Sequence, residues 1–201
     1  MSPRSLEAIV RGHPLLAVVL DRGAAWALPD AWLVAGAVAQ GVWNARTGRD
    51  PVHGIRDIDI VYFDAADLSA ETEAAHEARL RDLLVPHLPA NVPVKLDVKN
   101  EARVHLWYSD VFGHGIDPYR STKDAITTFP TTATSIGIRL DAGALNVCAP
   151  FGIDDLMGGI VRPNKRQITR TVYDKKVARW RTLWPELTYL PWDHTQPPST
   201  T

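Results

Sequence analysis

Arg56-Asp57-Ile58-Asp59-Ile60-Val61-Tyr62-Phe63 decides how the rest of the 201-residue chain is read. Two acids one residue apart run straight into β-branched and aromatic residues, the composition of a strand that opens with Asp-x-Asp. Side chains alternate along a strand, so Asp57 and Asp59 share a face, roughly 6.5 Å apart at a rise of about 3.3 Å per residue. Val61 and Phe63 continue that face and are expected under a helix, while Ile58, Ile60 and Tyr62 take the other. Two carboxylates at the mouth of a strand covered on both faces lose hydration that cations must replace. An oxygen pair at this spacing suits one or two Mg²⁺ ions. A capping or turn pair at a strand entrance is the alternative reading of the same residues.

Upstream, Ala31-Trp32-Leu33-Val34-Ala35 is a short apolar run ending in Gly36-Ala37. Val38, Val42 and Trp43 then recur at helical spacing until Asn44 and the breaker Gly48. The pattern is strand, tight glycine turn, helix; a glycine there lets backbone N–H groups meet a phosphate at a helix N-terminus. Downstream, Val92-Pro93-Val94-Lys95-Leu96-Asp97-Val98-Lys99 alternates, with Val94, Leu96 and Val98 on one face and Lys95, Asp97 and Lys99 on the other. A third strand thus carries a third carboxylate on its polar side.

Gly36-Ala37, then Asp57-Ile58-Asp59, then Asp97 resembles the signature of the DNA polymerase β-like nucleotidyltransferase superfamily. The path from Ala35-Gly36-Ala37-Val38 through a helix to Asp57-Ile58-Asp59-Ile60 is similar to the same region of tRNA CCA-adding enzymes. Asn100 to Tyr108, Phe129-Pro130-Thr131-Thr132-Ala133-Thr134 and Arg162-Pro163-Asn164-Lys165-Arg166 narrow the likeness to a bacterial family of nucleotidyltransferase-like proteins. It spans about Trp32 to Trp192. Two features depart from the superfamily pattern. Ala37 stands where Ser or Gly is usual, so phosphate contacts would rest on backbone and cations. The loop Thr47 to Gly54 also lengthens the link to Asp57 relative to minimal members.

The resemblance implies an α+β fold, a mixed β-sheet flanked by helices with a C-terminal hairpin and helix extension. Length fits one domain over 1–192, with a core of about 14–112 and an accessory region of about 113–192, and composition reads as a disordered tail over 193–201. The resemblance also implies transfer of an NMP from an NTP to an acceptor with release of pyrophosphate. Asp57, Asp59 and Asp97 would be the catalytic and metal-binding residues, bridging two Mg²⁺ ions about 3.5–4 Å apart, with Mn²⁺ as a substitute. Gly36, Ala37, Arg56, Lys95, Lys99 and Arg103 would be the nucleotide-binding set. Asp97 would take the acceptor's proton.

Bulk properties bound the rest. A formal net charge of −1 provides no field that draws the chain to nucleic acid or an anionic membrane, so a small acceptor is favoured over a nucleic acid. One cysteine, Cys148, fits a reducing, cytoplasmic setting, and its apolar neighbours place it in the core. The apolar run Leu15 to Leu20 is too short to span a bilayer.

In chain order, Ser5 is expected to cap a helix over Leu6 to Arg11, Pro14 to open a second, and Ala70 to Leu84 to form a third with His76, Leu80, Leu83 and Leu84 on one stripe. Glu101 to Phe112 reads as a helix capped by Asn100 and closed by Gly113, with a strand as the alternative. Ser121-Thr122-Lys123-Asp124 opens a short helix. Two strands flank Asp141-Ala142-Gly143-Ala144 as a hairpin, with Arg139 turned away from the core. Asp154-Asp155 reads as the first turn of a helix rather than a metal pair. Arg162 to Gln167 is a basic loop, either solvated or reaching phosphates. Tyr173, Val177, Trp180 and Trp184 form the buried seam of a helix whose Lys175, Lys176, Arg179 and Arg181 lie on its other sides.

Two other functions fit parts of this pattern. A glycosyltransferase uses Asp-x-Asp to hold a nucleotide-sugar diphosphate, but there the motif ends a strand, and here it begins one. A non-catalytic nucleotide- or protein-binding module on the same fold is favoured by Ala37 and opposed by three retained carboxylates.

Overall fold

The computed structural model describes residues 5–89 and 95–194. Val92, Pro93 and Val94 of the expected third strand, and the tail from Gln196, lie outside the described residues. The elements are α1 (Leu6–Gly12), α2 (Leu16–Asp21), β1 (Trp32–Val34), α3 (Ala35–Thr47), β2 (Asp57–Tyr62), α4 (Ala70–Leu84), β3 (Lys95–Asn100), α5 (Tyr108–Phe112), α6 (Thr122–Ile126), β4 (Gly137–Asp141), β5 (Ala144–Cys148), α7 (Asp154–Gly158), β6 (Ile160–Val161), α8 (Arg170–Leu183) and β7 (Thr188–Tyr189). The caps expected at Ser5 and Ser121 are present, with Ala8 N–H donating to Ser5 Oγ and Asp124 N–H to Ser121 Oγ, and Ser69 Oγ caps α4 by accepting from Thr72 N–H.

The main sheet runs β3-β2-β1-β4-β5. The β2–β3 pair is parallel and joined through α4, and the other neighbours are antiparallel, so the sheet is mixed and the fold α+β. The hairpin β4–β5 turns through Ala142 and Gly143, at φ +49° and +81°, and pairs with β1 inside this sheet. The accessory region read from the sequence thus supplies two of the five strands.

Alternation sorts the sheet's residues into unlike faces. Leu33, Ile58, Ile60, Leu96, Val98 and Ile138 join one large core with the apolar faces of α1 to α4 and the seam of α8. Trp43 of α3 meets Trp180 and Trp184 edge-on, with ring centroids 5.4 and 5.5 Å apart. Trp184 also donates through Nε1 to Asn44 Oδ1 at 2.8 Å, while Asn44 Nδ2 holds the carbonyls of Pro51 and His53. The loop before β2 is therefore pinned: a methyl at Gly54, whose φ is +72°, would come within 2.5 Å of the Trp184 ring. His13 adds a further tie. Its Nδ1 accepts from the N–H groups of Leu15 and Leu16, which leaves Nε2–H to donate to Pro51 O at 2.8 Å.

The opposite face carries a smaller cluster, Trp32, Val34, Val61 and Ile126, covered in part by α6. Cys148 packs at its margin half-buried, less enclosed than the sequence suggests. Arg139 turns away from the main core and stays partly exposed; its guanidinium lies 4.3 Å from the Trp32 ring centroid and pairs with Asp30 and Asp141. Glu101 to Phe112 is helical but broken, a 3₁₀ stretch over Glu101–Leu106 followed by α5. Among the described residues, no helix is long and apolar enough to cross a membrane.

Candidate active site

The junction of β1 and α3 forms one wall of the site. Ala35, at φ +54°, makes the left-handed turn that the sequence assigns to glycine, and its N–H is tied to Ile136 O at 3.0 Å. That conformation costs an alanine about 1–2 kcal/mol. Gly36 serves proximity instead: a Cβ there would stand 3.9 Å from both Asp57 Oδ1 and Asp59 Oδ2, and 3.1 Å from Gln40 Nε2. No side chain caps α3, and helix geometry leaves the Gly36 and Ala37 N–H groups without intrahelical acceptors. Two donors at a helix N-terminus therefore lie at the turn that borders Asp57 and Asp59. The Ala37 methyl belongs to the main core, so this residue offers the site its backbone alone.

Register brings the acids together. Val34 pairs with Asp59, Asp59 with Asp97 in the parallel direction, and Asp57 with Lys95, so all three carboxylates emerge from one face of adjacent strands. Burial first, then the charges of Asp57 and Asp97, push the Asp59 carboxyl up to about 7, while Lys176 and Lys95 pull it down. Among the described residues, no cationic nitrogen lies within 4.0 Å of Asp57 or Asp59. Asp97 differs: its Oδ1 is 2.7 Å from Lys99 Nζ and its Oδ2 4.0 Å from Lys95 Nζ. Accordingly, among the described residues no three His, Cys, Asp or Glu side chains converge closely enough to hold a metal ion. The oxygen donors of Asp57 and Asp59 fit a hard divalent cation, and Asp97 would complete the set only by leaving Lys99.

The expected nucleotide-binding residues fall into two groups. Gly36, Ala37, Arg56 and Lys95 border the acids, and Arg56 is exposed. Lys99 and Arg103 are held elsewhere. Lys99 Nζ lies 3.8 Å from Glu73 and 3.7 Å from Glu77; burial opposes its charge, but Asp97, Glu73 and Glu77 outweigh burial and raise its pKa. Arg103 donates to Glu73 at 2.9 Å and to Leu68 O at 3.2 Å.

Three residues enter that the sequence did not single out for the site. Glu101 is buried just after β3; burial, then Glu73 and Asp59, push it up to about 8, against Lys99. It looked like any acid in a first helical turn. Lys176 acts on Asp59, and Arg56 and Asp57 act on Arg179. Lys176 and Arg179 both read as a solvated face, because only the docking of α8 decides which flank meets the sheet. The second acidic pair is structural: Asp155 is held by Arg162 at 2.8 and 3.2 Å and by Thr132 Oγ1. Asn164 Nδ2 donates to the carbonyls of Thr127 and Phe129, so the front of the basic loop is a clamp within the fold. A cavity of 590 Å³ lined by His13, Gly41, Asn44, Arg46 and Met157 lies at the other end of α3, away from the carboxylates.

A family model described as nucleotidyltransferase matches residues 22–189, which hold every element of this site. The chain belongs to that nucleotidyltransferase family. No curated protein sequence matches it. Among solved structures, the nucleotidyltransferase is similar to a protein whose NMR structure is described as revealing a CCA-adding enzyme head domain. The TM-score is 0.73 at 25% identity, covering 92% of this chain and 95% of that one. The likeness to a nucleotidyltransferase head therefore extends over the mixed sheet and its flanking helices, and an NTP is the substrate the family implies.

Proposed function

We propose that this nucleotidyltransferase moves an NMP from an NTP to an acceptor hydroxyl, with a divalent cation, Mg²⁺ or Mn²⁺, held by Asp57 and Asp59. One observation carries the reading: two neighbouring carboxylates, one with its pKa raised to about 7, sit beside two free helix N–H groups with no cation of the protein, among the described residues, within 4.0 Å. Unpaired, partly buried acids destabilise a fold, and a bound divalent cation removes that cost.

When bound, the cation would supply charge neutralisation for the triphosphate and a lower pKa for the acceptor hydroxyl. The chain's own groups do the rest. Gly36 and Ala37 N–H would hold phosphate oxygens, and the absence of a Cβ at Gly36 lets them approach the carboxylates. Arg56 and Lys95 would add positive charge around the transferring group. The acceptor oxygen bonds to the α-phosphorus as the bond to the β-phosphate oxygen breaks, pyrophosphate leaves with that electron pair, and the acceptor proton passes to Asp97 once Lys99 releases it. The acceptor is a hydroxyl-bearing molecule, and the net charge of −1 favours a small one. The protein described as a CCA-adding head makes an RNA 3′ end the natural second acceptor class.

The Asp97–Lys99 contact and Ala37 favour a second reading, a nucleotide-binding module without turnover. Pyrophosphate release measured with each NTP, Mg²⁺ and both acceptor classes separates the two. Release from wild type, lost in Asp57→Asn and Asp59→Asn, supports transfer. Binding of NTP without release under every condition supports the module.

A further inference from the structure

Arg56 and the pair Lys176 and Arg179 lie far apart in sequence, yet Lys176 lies near enough to Asp59, and Arg179 near enough to Arg56 and Asp57, for their charges to be felt. The seam of α8 is buried through Tyr173, Val177 and Trp180; at 100° per residue, Lys176 and Arg179 occupy one flank of that seam, a turn apart. Arg179 Nη2 donates to Gly54 O at 2.7 Å, which carries its guanidinium to the segment leading into β2. There it meets Arg56 and Asp57. Burial first, and Arg56 second, lower the pKa of Arg179, whereas Asp57 raises it.

What marks this group is Arg179, whose guanidinium is drawn to the entrance of β2 with a donor left over. Lys99, Arg103, Arg139 and Arg162 are each held by a carboxylate. Among the described residues, Arg56, Lys176 and Arg179 have none within 4.0 Å, and the buried Nε of Arg179 has no hydrogen-bond partner. A half-buried guanidinium with a spare donor, near a second guanidinium and one helical turn from an ammonium, is a place where a bound anion is favoured. A tetrahedral phosphate matches that fork of donors, because a guanidinium can give it two parallel hydrogen bonds.

We infer that Arg56, Lys176 and Arg179 form a phosphate clamp between the entrance of β2 and the flank of α8. The clamp rests on the nucleotidyl-transfer reading for the molecule that brings the phosphate, which is either the outer part of the donor triphosphate or a phosphate of the acceptor. Its α8 half lies outside the residues that the Asp-x-Asp signature marks.

The test measures affinity by calorimetry for three probes, inorganic pyrophosphate, a single-stranded oligoadenylate and phosphate-free adenosine. The proteins are wild type, Lys176→Gln, Arg179→Gln, the double variant Arg56→Gln/Lys176→Gln, and Asp57→Asn. The double variant changes two exposed side chains and leaves the Arg179–Gly54 contact intact, so it decides the matter if Arg179→Gln fails to fold. A loss of at least tenfold for pyrophosphate, with adenosine unchanged, supports a clamp on the donor. The same loss confined to oligoadenylate supports a clamp on the acceptor. Unchanged affinity for both phosphate probes in the double variant overturns the clamp. Asp57→Asn reports separately: if it leaves Mg²⁺-dependent NTP binding intact, the transfer reading fails while the phosphate losses still stand or fall alone.

Discussion

Replacing Asp59 by Asn should stabilise the metal-free protein at neutral and alkaline pH, and the size of the gain follows from the site. The Asp59 carboxyl is raised from 3.8 to about 7 by burial and by Asp57 and Asp97, a shift of roughly three pH units. Between those values the folded chain keeps a proton that the unfolded chain releases. Unfolding therefore becomes easier as pH rises, by about 1.4 kcal/mol per unit, and the trend flattens above about 7. The stability contributed by the neutral acid is present in full below pH 3.8 and is gone above about 7. An Asn keeps the shape and never ionises, so the variant should gain up to about 4 kcal/mol over wild type at pH 8. For a chain of this length that is about 8–16 °C in Tm. Circular dichroism melts in EDTA at pH 5, 6, 7 and 8 would show the two proteins converging in acid and separating in base. Millimolar Mg²⁺ should then raise the wild type and leave the Asp59→Asn variant where it was, narrowing the gap. A variant no more stable than wild type at pH 8 in EDTA would refute the claim that this carboxylate is buried without a partner.

Three further perturbations test other parts of the site and its frame. Gly36→Ala should leave the unfolding midpoint within about 1 kcal/mol of wild type, because Gln40 Nε2 is the end of a flexible side chain; yet its methyl, 3.9 Å from both acids, should weaken ATP binding by about tenfold in calorimetry. Glu101→Gln should stabilise the protein in the same direction as the Asp59 change, by a few kcal/mol, in melts above pH 8, since the buried acid is raised from 4.5 to about 8. Trp184→Ala should lower stability to urea by about 3–5 kcal/mol, because it empties a fully buried site and orphans Asn44 Oδ1.

The strands and their faces were legible because a period of two leaves a direct mark: Ile58 and Ile60 inside, Asp57 and Asp59 together, Leu96 and Val98 opposite Asp97. The seam of α8 was legible for the same reason at helical period. What the sequence hides is orientation set by distant partners. Asp97 shares a face with Lys99 two residues on, and only coordinates show that the pair closes. The turn before α3 falls to Ala35 because Ile136, a hundred residues later, anchors its N–H. Arg162 looked free to reach phosphates until Asp155 and Thr132 were placed against it. Lys176 and Arg179 differ from Lys175 only in which flank Trp43 and Asn44 turn toward the sheet, and no local pattern encodes that.

The outer margin of β3 has a consequence for how the chain behaves among its own copies. An edge strand exposes N–H groups that another chain can adopt as a template. Here Asn100 N–H donates to a carboxylate oxygen of Glu73 at 2.8 Å and Val98 N–H to one of Glu77 at 3.5 Å, so two acids from α4 occupy the ladder positions an intruding strand would need. The guard therefore depends on α4 staying docked along β3: were that helix to lift away, the two N–H groups would be left for a neighbour's strand to take.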